Sequence, residues 1–183
     1  MDERLDTQKA AAWCLVAALA LSLHVLLAAP LALRAQGPLP LGPPLYGILA
    51  VAGFGLILPP IATLFLRFRA LNEHAAILSA MSGTALAIVG MSALVFDDLE
   101  PGALFFLGMW WWVVGKFGFE SQLFSRWFGL ATMALAIVAF IAIAGDLLGA
   151  RVVWTAARLV LAAWLLALGA TLYRSLDHPR DAR

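Results

Sequence analysis

Arg158 is the one charged residue inside the run VVWTAARLVLAAWLLALGATLY, which covers residues 152–173. A guanidinium set within so apolar a segment costs a few kcal/mol on insertion scales unless it faces protein or water. It lies six residues, or about 9 Å of helical rise, inside the outer end of that run. Two arrangements satisfy it. The side chain snorkels outward and pairs with Asp97, Asp98, Glu100 or Asp146 from two acidic loops, or it offers a two-pronged donor to an anionic head group, a carboxylate or a carbonyl ligand.

His24 is the histidine of the first apolar run, also in its outer half, whereas His74 and His178 fall in the segments between or after runs. One intramembrane imidazole cannot supply both axial ligands of a membrane b-type haem. A neutral, hydrogen-bonded ring is the plainer expectation, and a cavity shared with Arg158 the sharper one. Trp110, Trp111 and Trp112 follow one another in the fourth run. At 100° per residue on a helix they spread over a wide arc, so packing with some lipid contact is expected. The alternative is an aromatic wall for a polyene, quinone, sterol-like molecule or acyl chain. Trp154 belongs to this candidate set by position, although Trp13, Tyr46, Trp127 and Trp154 all fall where interfacial aromatics are expected.

Other chemistry finds little support. The loop FDDLEPG holds three carboxylates within four residues, but no histidine or further acid stands near enough in sequence to complete a metal site. Cys14 is the single cysteine, which excludes an internal disulfide and a thiolate cluster. Nucleophile-elbow, zinc-protease, phosphate-loop, dinucleotide and CxxC patterns are all missing. No catalytic residue and no cofactor is assigned, and an enzyme is the third choice.

The elements that must position these residues follow from composition. Of 183 residues, 63% are hydrophobic and 13% charged, against about 45–50% and about 25% in a soluble domain. A net charge of +1 offers nothing to attract nucleic acid. Crossing a bilayer takes about 20 mainly apolar residues, and six stretches qualify: 10–33, 46–66, 75–96, 101–119, 124–145 and 152–173. The fourth is the weakest and reaches full length only if Lys116 snorkels. The sequence therefore predicts an all-α, six-span helical bundle forming a single transmembrane domain over 1–183. With both termini cytoplasmic, Arg4, Lys9, Arg67, Arg69, Lys116, Arg126, Arg174, Arg180 and Arg183 fall inside and only Arg34 and Arg151 outside, as the positive-inside rule requires. MDERLDTQK mixes acids with bases ahead of a long apolar run, so the first span is expected to be retained rather than cleaved.

Packing signals are local. Ser79, Gly83, Ala87 and Gly90 line one face of the third span, a spacing that lets helices approach closely, within the bundle or across a homodimer. Pro59–Pro60 predicts a kink in the second span. The connection Arg34–Leu45 contains four prolines and two glycines and is expected to be extended and stiff.

The stretch LGMWWWVVGKFGFESQLFSRWFGLATMALAIVAFIAIAG, with SRWFGL opening the fifth span, and the closing AWLLALGATLYRS resemble bacterial multi-span membrane proteins classed only as domains of unknown function. The resemblance covers about the last third of the chain. It implies a bacterial cytoplasmic-membrane location and implies no activity, ligand or site. Two functions are expected from the whole reading. The first is binding or transport of a small apolar or anionic ligand, a lipid or a pigment, within the bundle through Arg158, His24 and the tryptophans. The second is an accessory or assembly subunit that contacts a larger membrane complex.

Overall fold

A long apolar segment in lipid must close its backbone hydrogen bonds within itself, which leaves the helix as its form. The computed structural model describes residues 3–33, 43–93, 96–148 and 152–174. Arg34, Arg151, His178, Arg180 and Arg183, together with most of the proline-rich connection, lie outside them. The helices are α1 (Glu3–Leu33), α2 (Pro43–Gly55), α3 (Leu58–Arg69), α4 (Glu73–Ser92), α5 (Glu100–Glu120), α6 (Arg126–Leu147) and α7 (Val152–Arg174), with a 3₁₀ turn at Asp97–Leu99. Among the described residues there is no strand. Among the described residues six segments are long and apolar enough to cross a membrane: Thr7–Leu27, Val51–Arg69, Glu73–Ser92, Glu100–Glu120, Arg126–Leu147 and Val152–Arg174. The all-α, six-span bundle is the architecture found, and the protein is a multi-pass membrane protein.

The second span is two helices rather than one kinked helix. Pro59 and Pro60 carry no N–H, so the carbonyls of Gly55 and Leu56 lose their i+4 donors. The interruption therefore falls at Leu56–Ile57, ahead of the prolines, and Ile57 N donates to Phe54 O at 3.3 Å instead. Side-chain caps open α4 and α6. Asn72 Oδ1 accepts from Ala75 N at 3.1 Å to open α4, and Ser125 Oγ accepts from Phe128 N at 3.3 Å to open α6. Gln122, at φ 53°, turns the chain between α5 and α6. Phe124, expected to begin the fifth span, instead folds back, its N–H on Gly118 O at 3.3 Å.

Close glycine contacts fix an antiparallel register between neighbours. A Cβ on Gly53 would strike Leu21, one on Gly83 would strike Ile61, one on Gly108 would strike Phe140, and one on Gly169 would stand 3.0 Å from Cys14 Cβ. In order around the bundle the spans run α7, α1, α2–α3, α4, α5 and α6, with α6 and α7 touching only sparsely. The fourth span, weakest in hydropathy, is the most buried, at 56% against 22% for α6. Its glycines explain this, because Gly108, Gly115 and Gly118 are each pressed against α6 or its approach. Antiparallel packing brings the Glu3 end of α1 and the Arg174 end of α7 to one face. Lys9, Arg67, Arg69, Arg126 and Arg174 belong to that face, whereas Asp98, Glu100 and Asp146 belong to the opposite one.

Candidate functional site

The buried face of α7 is the stripe Trp154, Leu161, Leu165, Leu168 and Leu172, spaced three and four residues apart as one helix face requires. Arg158 falls on this stripe, between Trp154 and Leu161. On α1 the matching stripe is Thr7, Ala10, Cys14, Ala17, Leu21 and His24, all buried. With Gly169 set against Cys14, the antiparallel register carries Arg158 to His24.

One guanidinium nitrogen of Arg158, Nη1, donates to His24 Nε2 at 2.7 Å, and Nη2 donates to Thr155 Oγ1 at 3.0 Å. Arginine only donates. His24 Nε2 is therefore the acceptor, which makes the ring neutral with its proton on Nδ1. The guanidinium carbon also stands 5.7 Å from the centre of the Trp154 ring, in cation–π range. Trp154 in turn stacks on Phe54 at 5.9 Å and 10°, and Phe54 fills the space that a side chain at Gly90 would need. Two donors of this group, Arg158 Nε and Trp154 Nε1, are buried without an acceptor among the described residues.

Of the outward ion pairs expected for Arg158, none forms with Asp98, Glu100 or Asp146. No carboxylate of the described residues reaches ion-pair distance, and Glu100 acts on Arg158 from farther away. The physical reason is the stripe position, which aims the side chain across the bundle at α1 rather than up to the rim. The side chain of Asp97 lies outside those described.

The tryptophans divide into two groups. Trp154 is 1% exposed, so near the Val152 end of α7 its ring packs into the bundle beside Arg158. Trp110 and Trp111 are buried around Trp164, at centroid distances of 5.1 Å and 6.0 Å, and Trp164 donates from Nε1 to Thr132 Oγ1 at 2.9 Å. That cluster holds α5, α6 and α7 together and makes no contact with Arg158. Trp112 is 40% exposed and lines a shallow groove with Met109, Ile137 and Phe140, of about 350 Å³. A second cavity of about 280 Å³ lies at the basic end, between Phe68, Asn72, Phe117 and Ser121. Neither touches Arg158.

Ser79, Gly83, Ala87 and Gly90 are all buried, with Gly83 against Ile61 and Trp110 and Gly90 against Phe54. This face is thus occupied inside the bundle. Sequence reasoning missed Thr155 and Phe54. Thr155 was within reach, since i and i+3 side chains share a helix face; Phe54 had no local signal.

Fold and site together define a six-span helical membrane protein with a partly buried arginine–histidine contact between α1 and α7. Comparison with protein-family models, curated proteins and solved structures finds no match in any of the three.

Proposed function

We propose that this membrane protein binds a small amphiphile whose hydrogen-bond-accepting head group is anchored by Arg158. The observation that carries this reading is a partly buried guanidinium within a span, held by neutral partners, with Nε buried and lacking an acceptor among the described residues. A charge in such a setting normally pairs with an opposite charge or serves a ligand, and among the described residues no carboxylate is within ion-pair distance of Arg158. The ligand is an anion or carbonyl-bearing lipid or small molecule that meets Arg158 on its partly exposed side. The segregation of charge between the two faces supports placing the basic face, and both termini, on the cytoplasmic side of a bacterial inner membrane.

The test is mass spectrometry of the protein purified in mild detergent. Wild-type protein is expected to retain a defined amphiphile, with occupancy falling at least about tenfold in Arg158→Gln, a loss of about 1.4 kcal/mol. Wild-type protein that is empty, or equal occupancy in both, refutes the reading. The exposure of α6 favours one second reading, an accessory subunit that seats α6 on a larger complex. A stoichiometric heteromer in which this chain carries no ligand would select it.

A further inference from the structure

The two side chains that hold the Arg158 guanidinium are the ones an incoming anion must displace or join, and one of them can change charge. Thr155 is always neutral. His24 is an acceptor towards Arg158 only while Nε2 carries no proton. A second proton on the ring would remove that lone pair and place two cations in contact. An oxyanion on the guanidinium fork reverses both conditions. It competes for the N–H that His24 accepts, and it cancels the positive charge beside the ring.

We infer that Arg158 and His24 capture an oxyanion together with one proton. His24 then turns from acceptor towards Arg158 into donor towards the ligand, and the proton comes from water. The inference rests on the reading of Arg158 as the ligand's anchor. The charged and titratable groups of the described residues on the elements packed against α1 are these. From α7 they are Arg158 and, at the far end of the helix, Tyr173 and Arg174. Arg67 and Arg69 of α3 lie at the opposite face, where Arg67 donates to Thr7 Oγ1 at 2.9 Å. The titratable residue of α2, Tyr46, has its side chain outside those described, and Glu100 of α5 acts on Arg158 at longer range. Because His24 is 7% exposed in a span, bulk water screens this exchange weakly.

Titration calorimetry with two oxyanions that do not themselves titrate, decanesulfonate and sulfate, tests the inference. Runs in buffers of different ionisation heat, from about pH 5 to about pH 8 where an imidazole changes charge, count protons taken up per ligand. Wild-type protein is expected to take up roughly one proton per ligand at the upper end of that range. His24→Gln, whose amide oxygen still accepts from Arg158, is expected to take up none. Binding of decanesulfonate alone identifies a lipid-borne head group, and binding of sulfate identifies a soluble anion. Wild-type binding without proton uptake, or with uptake unchanged in His24→Gln, overturns the inference and leaves the anchor standing. Binding no tighter in wild type than in Arg158→Gln overturns the anchor and the inference with it. The wild-type buffer series decides the question even if His24→Gln does not fold.

Discussion

Trp164 on α7 donates its indole N–H to Thr132 Oγ1 on α6 at 2.9 Å, and among the described residues this is the side-chain hydrogen bond that joins these two consecutive helices. α6 otherwise packs on α5, and α7 on α1. Phe128 stacks on Trp164 at 6.1 Å, so the contact is both a bond and an aromatic wedge. Thr132 keeps a second bond, to Phe128 O at 2.8 Å.

Trp164→Phe should therefore lose the bond and keep most of the packing. The expected cost is about 0.6 kcal/mol and at most about 1.7 kcal/mol, the span measured for interhelical bonds in lipid. Trp164→Ala should cost about 3–5 kcal/mol. Thermal unfolding in detergent separates the two, and equal losses would show that the bond carries the whole contact.

Two glycines make opposite predictions. A Cβ on Gly115 would lie 2.9 Å from Gly129 O and 2.9 Å from Met133 N, backbone atoms that cannot swing aside, whereas at Gly55 it would meet nothing within 4 Å. Gly115→Ala should destabilise by about 1–3 kcal/mol through overpacking. Gly55→Ala should leave the melting temperature unchanged or raise it slightly. The paired measurement checks the α5–α6 register directly.

Orientation is accessible because Cys14 is the chain's single cysteine and is fully buried. Asp98→Cys and Gln122→Cys place an exposed thiol at each face. In intact cells an impermeant maleimide should label Asp98→Cys and spare Gln122→Cys until the membrane is opened. The reverse pattern would invert the bundle.

Replacing both Pro59 and Pro60 by alanine restores two N–H donors to the carbonyls of Gly55 and Leu56. The two half-helices should then join, and deuterium uptake of a peptide covering 53–61 should fall. Unchanged uptake would mean that packing against α1 and α4, not proline, holds the break.

The number of spans was legible because hydropathy is a property of each segment alone. Arg158 was legible for the same reason, being a lone charge deep in an apolar run. Its partner was not. Looking along the chain, the visible counter-charges were the loop acids, while His24 lies 134 residues away and meets Arg158 only through the α1–α7 register. That the Trp154 ring faces inward was not legible, because depth in a span says nothing about which side of the helix faces the bundle. The stripe that reveals it, Trp154 to Leu172, shows only once the burial of its neighbours is known. The break at Leu56–Ile57 was foreseen as a bend, since two missing donors are written in the sequence but the point where the chain yields depends on its neighbours.

The closure of α1 on α7 also has a consequence for biogenesis. A ribosome delivers α1 first and α7 after the other spans have been threaded, so the His24 ring must wait in the bilayer without its guanidinium partner through most of synthesis. Arg158, conversely, meets a ready acceptor as soon as its helix is released. Insertion of α7 is thus coupled to a latch already standing open, and the helix that carries Arg158 arrives when the other spans can receive it.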